Sequence, residues 1–164
     1  MVNRSTRGVS IKIQMPRGQL RLMNEQEISH IAAIDAQAYP YPWSEQIFRD
    51  CMKANYHCVV YESDDELLVG YGVMSFVVGE AHILNICVLP DKQGQGLGRD
   101  LLNYMVDLAR EKRLETMFLE VRMSNKVARN LYERVGFNEV GIRKNYYPAG
   151  KGREDAMVLA MNIL

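Results

Sequence analysis

The sequence predicts a single domain of the α/β (α+β) class, in which helices flank one mixed, mostly antiparallel, twisted sheet. Three observations predict it. Apolar residues alternate in some stretches and recur at helical spacing in others, giving the element order βααβββαβαββ. One glycine-rich run, Gln93-Gly94-Gln95-Gly96-Leu97-Gly98-Arg99, joins an apolar strand-like stretch to a helical one. The chain of 164 residues suits one domain and is long enough to bury a real core.

Residues 1–17 carry Arg4, Arg7, Lys12 and Arg17 among Ser, Thr and Gly and read as a flexible N-terminal extension to a domain spanning 18–164. They hold no apolar stretch of the secretory kind. Gln19 to Met23 alternates and predicts a first strand. Asn24 can cap a helix carrying Ile28, Ile31, Ala32 and Ile34, which must end before Tyr39-Pro40-Tyr41-Pro42-Trp43 because proline forbids helical geometry there. Ser44 reads as the cap of a second helix with Ile47, Phe48 and Cys51 as its apolar face. His57 to Tyr61, Leu67 to Val78 and Ala81 to Val88 predict three strands, the first two joined by a turn at residues 63–66.

After the glycine run, Leu97, Leu101, Leu102, Met105, Leu108 and Ala109 share one helical face. Glu115 to Met123 predicts a strand with Met117, Leu119, Val121 and Met123 on one face and Thr116, Phe118, Glu120 and Arg122 on the other. Ser124 or Asn125 caps a helix with Val127, Ala128, Leu131, Tyr132 and Val135 as its stripe, and Gly136 stands where a glycine ends a helix. Phe137 to Arg143 and Asp155 to Ile163 predict two closing strands, with a loop over 145–153.

Composition narrows the function. Twenty Lys and Arg balance twenty Asp and Glu, so no global field draws in nucleic acid or a membrane surface. No apolar run approaches the ~20 residues of a membrane span. Cys51, Cys58 and Cys87 form no paired motif, which argues against a zinc site or a disulfide framework and suits a reducing cytoplasm.

The glycine run sits where a helix starts, with unpaired amide groups and the positive end of the helix dipole, so it wants an anion and above all a phosphate. It lacks the Gly-Lys-Ser/Thr ending of a nucleotide P-loop, and its G-x-G-x-G spacing misses the dinucleotide fingerprint by one residue. Other residues invite chemistry. Glu120 lies in an apolar strand and is either a structural partner of Arg122 or a general base made more basic by apolar surroundings. Tyr132 is either core or the acid that protonates a departing thiolate. The strand at Ile86 to Val88 can supply amide donors to a tetrahedral intermediate if its ladder splays open. Cys87 reads as a small buried residue, and no His forms a triad with it. Trp43, Tyr146 and Tyr147 belong to aromatic clusters that either pack as turns or line a substrate mouth.

The match of Gln93, Gly96 and Gly98 to Q/R-x-x-G-x-G/A resembles the pyrophosphate loop of the GCN5-related N-acetyltransferases (GNAT). Asn125, Ala128, Leu131, Tyr132, Gly136 and Phe137 follow that family's N-x-x-A-x-x-L-Y-x-x-x-G-F pattern. Pro42-Trp43-Ser44, Asn85-Ile86, Leu119-Glu120-Val121-Arg122, Asn145-Tyr146-Tyr147-Pro148 and Gly152-Arg153-Glu154-Asp155-Ala156 are similar to the branch that acetylates the N-terminal alanine of the eighteenth small-subunit ribosomal protein.

The resemblance, which runs from about Leu20 to the C-terminus, implies a GNAT-type fold and direct acetyl transfer from acetyl-CoA to an amine, with no metal. It implies Glu120 as proton acceptor and Tyr132 as proton donor. It places acetyl-CoA on Ile86, Cys87, Val88, Gly94, Gln95, Gly96, Leu97, Gly98, Arg99 and Asn125, and the substrate peptide near Trp43, Tyr146 and Tyr147. The partner it implies is a ribosomal protein N-terminus; a monomer is expected. Two alternatives stay open: another protein N-terminus, a lysine or a small amine as acceptor, or a non-catalytic coenzyme A-binding or ribosome-interacting module.

Overall fold

The computed structural model describes residues 12–164. One eight-stranded sheet runs through it, in the order β1 (Lys12–Met15), β2 (Gly18–Leu22), β3 (His57–Ser63), β4 (Leu68–Val77), β5 (Glu80–Val88), β6 (Thr116–Arg122), β8 (Gly152–Asn162), β7 (Asn138–Ala149). All neighbours pair antiparallel except β5 and β6, which run parallel.

Two apolar layers form on the two faces of the sheet. Alternation along β3 divides its side chains between them: Cys58 and Val60 join one layer, Val59 and Tyr61 the other. The first layer holds α1 (Ile28–Ala38) and α2 (Glu45–Lys53) through Ile28, Ile31, Ile34, Phe48 and Cys51. The second holds α3 (Leu97–Glu111) through Leu101, Leu102, Met105 and Ala109, and α4 (Lys126–Val135) through the partly buried Ala128, Leu131 and Tyr132.

The predicted caps explain where the helices begin. Asn24 and Glu27 form a reciprocal capping box, closing a single 3₁₀ turn that leads into α1. Ser44 accepts from the Ile47 amide at the start of α2, and Asn125 accepts from the Ala128 amide at the start of α4. The Gly136 amide bonds back to the carbonyls of Tyr132 and Glu133 and ends α4.

Four expectations change. Lys12–Met15 is an edge strand paired with β2, and Ile13 and Met15 pack on the core, so the folded unit begins before residue 18. The rest of the expected extension, residues 1–11, lies outside the described residues. Most of the expected loop over 145–153 is strand, because β7 and β8 form one long hairpin interrupted by an irregularity between Arg143 and Tyr147. Ile47 and Val127, expected on apolar faces, are both exposed, since helical spacing alone overstates the width of a stripe that packs.

Candidate active site

The site begins where β5 and β6, the parallel pair among the described strands, come apart. β5 and β6 pair from Glu80↔Thr116 to Ile83↔Leu119 and no further. At the same level β5 carries a bulge: Val73 faces Asn85 and Met74 faces Ile83, which leaves Leu84 without a partner on β4. Beyond it β5 stays with β4 while β6 stays with β8, and a gap opens between them.

The backbone of β5 turns its polar groups into that gap. The Leu89 amide donates to the Val69 carbonyl at 2.9 Å. Antiparallel alternation then assigns Cys87 to bonding with Tyr71 and points the amides and carbonyls of Ile86 and Val88 away from β4. Side chains take the two carbonyls: Tyr39 Oη donates to Ile86 O at 2.9 Å and Gln93 Nε2 to Val88 O at 3.0 Å.

A cleft of about 280 Å³ occupies the gap. Ile86, Glu120, Tyr132, Asn125, Trp43 and Tyr147 all line it, so the structure brings together six of the sequence-predicted site residues from five parts of the chain. Four groups of predicted residues lie elsewhere. Cys87 is buried in the layer beneath α1 and α2, where burial pushes its thiol up to about 12, so it is a poor nucleophile. Val88 is buried beside α3. Tyr146 is exposed at the rim, edge-on to Tyr147 with centroids 5.0 Å apart. The glycine loop lies past the end of β5, at the start of α3.

In that loop Gly94 and Gly96 adopt φ of +77° and +90°, a region that side chains disfavour. Gly96 is the residue before α3, so the amides of Leu97, Gly98 and Arg99 open the helix without intrahelical acceptors. A Cβ at Gly94 would meet nothing within 4 Å, and one at Gly96 would meet only the Arg17 guanidinium, 3.2 Å from Nη1. The loop is therefore an open cradle of amides at the positive end of a helix.

Glu120 projects from the β6 face opposite the main core, and its side chain is 25% exposed. Its cation partner is Arg143 on β7, Nε to Oε1 at 2.6 Å, and not its neighbour Arg122. The neighbouring Glu120 carboxylate, together with burial, raises the Tyr146 phenol. Arg122 instead bonds Glu154 at 3.2 Å and the Pro148 carbonyl at 2.7 Å. Its guanidinium lies over both the Tyr147 ring at 4.6 Å and the Tyr41 ring at 5.5 Å, tying the two aromatic walls of the cleft together. Tyr132, packed edge-on against Phe137, is pushed up to about 12 by burial and stays protonated at neutral pH.

The sequence reading passed over Asp35. This residue is 1% exposed yet borders the cleft. Its carboxylate accepts from Tyr71 Oη at 2.5 Å and from the Trp43 amide at 2.7 Å. It thereby anchors the turn that carries Tyr39, Tyr41 and Trp43 onto the sheet. A signal was available: Asp35 falls on the face of Ile28 and Ile31, at the spacing of buried positions. Among the described residues no group of three or more His, Cys, Asp or Glu can hold a metal ion, and no helix is long and apolar enough to cross a membrane.

Comparisons with known proteins agree with this architecture. A model of the acetyltransferase (GNAT) family matches residues 26–137. The chain is 41% identical over 130 residues to the ribosomal protein bS18-alanine N-acetyltransferase of Salmonella typhimurium, covering 79% of this chain and 87% of the relative. It is 39% identical over 135 residues to the protein of the same name from Haemophilus influenzae, covering 82% and 91%. The crystal structure of the ribosomal-protein-S18-alanine N-acetyltransferase from Escherichia coli superposes with a TM-score of 0.82 at 37% identity, covering 88% of this chain and 92% of that one. Ard1 from Thermoplasma volcanium, at 23% identity and a TM-score of 0.79 over 88% of this chain and 97% of its own, shares the fold. With the parted strands, the amide cradle and these matches in hand, the chain belongs to the GNAT family of acetyltransferases.

Proposed function

We propose that this protein transfers the acetyl group of acetyl-CoA to the α-amine of the N-terminal alanine of ribosomal protein bS18, in the cytoplasm. The observation that carries the reading is the gap between β5 and β6, which sets amide donors, a carboxylate and a protonated phenol around one cleft. The acceptor is taken from the names of the relatives at 39% and 41% identity.

The residues present suit acetyl-CoA. The diphosphate would rest on the amides at Gly94 to Arg99, where a Cβ-free Gly94 leaves the approach open. The pantetheine arm would lie along Ile86 to Val88, whose outward polar groups lack a sheet partner, with Asn125 beside it. When bound, this molecule supplies an activated acyl thioester.

The chain's own groups do the rest. Glu120 accepts the proton that the α-ammonium must lose before nitrogen attacks; with a free α-amine near ~7.7–8.0, a modest base suffices. Amides of β5 stabilise the charge that develops on the carbonyl oxygen. The C–S bond breaks as the C–N bond forms; Tyr132 would donate its hydroxyl proton to the sulfur, and the second proton that nitrogen sheds on becoming an amide would return to the phenolate through solvent. Cys87, buried and protonated, takes no part in covalent transfer. Trp43 and Tyr147 form the walls between which the first residues of the peptide enter, with Tyr146 at the rim.

The test uses a synthetic peptide with the bS18 N-terminus. Acetylation should occur on the free α-amine and vanish when that amine is blocked, with lysine blocking harmless. Loss of acetylation on lysine blocking alone would replace the acceptor with a side-chain amine.

A further inference from the structure

We infer that Arg17, on the turn between β1 and β2, is a binding residue for the diphosphate of the acyl donor. The inference rests on acetyl-CoA being that donor. Arg17 lies outside residues 26–137, which carry the family match, and in the stretch that the sequence reading set aside as an extension.

Two contacts set the position of the turn relative to α3. Gly18 is buried against β3, where a Cβ would collide with the Glu62 carbonyl oxygen, so the backbone can come this close only with glycine. Tyr61, on β3, donates its hydroxyl to Asp100 Oδ2 at 2.9 Å in the first turn of α3. One buried phenol thus joins the sheet to the start of α3, beside the strand on which Gly18 packs.

That placement sets the Arg17 guanidinium at the glycine loop, with Nη1 3.2 Å from where a Cβ on Gly96 would stand. Among the described residues no carboxylate lies within ion-pair distance of Arg17. The nearest acid on α3, Asp100, is engaged by Tyr61. The Arg17 cation and the positive end of a helix therefore face the same small space, with no carboxylate among the described residues paired to that cation. Two like charges held in this way repel, and the arrangement becomes favourable when a dianionic group fills the space. Gly96 is the middle glycine of the loop, so the group so placed is the diphosphate and not the 3′-phosphate at the far end of the molecule.

Calorimetry with CoA on the full chain tests this. Arg17→Gln should weaken binding about 10-fold or more, as expected for one charge-assisted contact. Arg17→Lys should restore part of it, and wild-type affinity should fall more steeply with added salt than that of Arg17→Gln. The same measurement with 3′-dephospho-CoA should show an equal loss. A loss that disappears with 3′-dephospho-CoA assigns Arg17 to the 3′-phosphate and overturns the inference. So does unchanged CoA affinity in Arg17→Gln while wild type binds. Failure of wild type to bind CoA at all would instead overturn the donor assignment on which the inference stands. Arg17 is exposed, and equal melting temperatures for wild type and both variants would separate contact from folding.

Discussion

Arg143 Nε lies 2.6 Å from Glu120 Oε1, across two strands that are not neighbours in the sheet. Arg143 leaves β7 where its pairing with β8 becomes irregular, and so can reach over β8 to the carboxylate on β6. The bridge sets one oxygen of Glu120 against Arg143 at the edge of the cleft. The carboxylate remains partly exposed and open to an entering amine.

Replacing Glu120 with Gln removes the proton acceptor and keeps the shape. Turnover should fall about 10²–10⁴-fold at neutral pH, the usual range for a positioned base. CoA affinity should stay within about 2-fold, since the cradle lies elsewhere. Steady-state kinetics and calorimetry read the two effects, and an undiminished rate removes Glu120 as the base.

Tyr132→Phe should lower kcat by about 10²-fold through loss of the proton donor. Burial raises the phenol to about 12, so its protonated form prevails throughout the neutral range. The pH–rate profile of the wild type should therefore show no alkaline limb from this group below about pH 11. A limb between pH 7 and 10 that Tyr132→Phe abolishes would show that burial does not raise this phenol, and an undiminished kcat in Tyr132→Phe would remove it as the proton donor.

Asp35→Ala strips the acceptor from Tyr71 and from the Trp43 amide. A buried donor left unpaired costs about 1–3 kcal/mol, so urea unfolding should report a loss of about 3 kcal/mol. The turn bearing Tyr39, Tyr41 and Trp43 loses its anchor, and KM for the peptide should rise more than KM for the donor. Equal stability and unchanged kinetics would mean that Asp35 anchors nothing.

His57 is half-buried, bonded to Tyr104 Oη at 2.8 Å, and its pKa is lowered by burial and by Lys112. The folded state then holds this proton less tightly than the unfolded chain does. The associated stability is complete above the unfolded value of about 6.5 and is lost as pH falls toward the folded value. Urea midpoints at pH 7.5 and 5.5 should differ more for wild type than for His57→Gln. Parallel behaviour of the two proteins would dismiss His57 as the source.

Local patterns made much of this molecule legible. Alternation in β6 separated Met117, Leu119 and Val121 from Glu120 and Arg122. Asn24, Ser44 and Asn125 marked helix starts because capping is a bond between near neighbours in the chain. The same locality misled the reading of ion pairs. Glu120 and Arg122 share a face two residues apart, yet each pairs with a residue from the closing hairpin, Arg143 and Glu154. No local pattern encodes a partner brought in by strand order. The first strand was missed although Lys12-Ile13-Gln14-Met15 alternates, because four residues lie at the lower limit of a periodic signal.

The sequence by itself determined most of the elements, their caps, the glycine run that opens α3 and the membership of Glu120 and Tyr132 in the candidate set. These follow from interactions within a few residues, where spacing is geometry. Only the tertiary structure decided that β5 and β6 part after Ile83, that Asp35 anchors the aromatic turn, and that Arg17 reaches Gly96. Those relationships join segments far apart in the chain, and they come into being only when the sheet's order and the two packed layers bring those segments together.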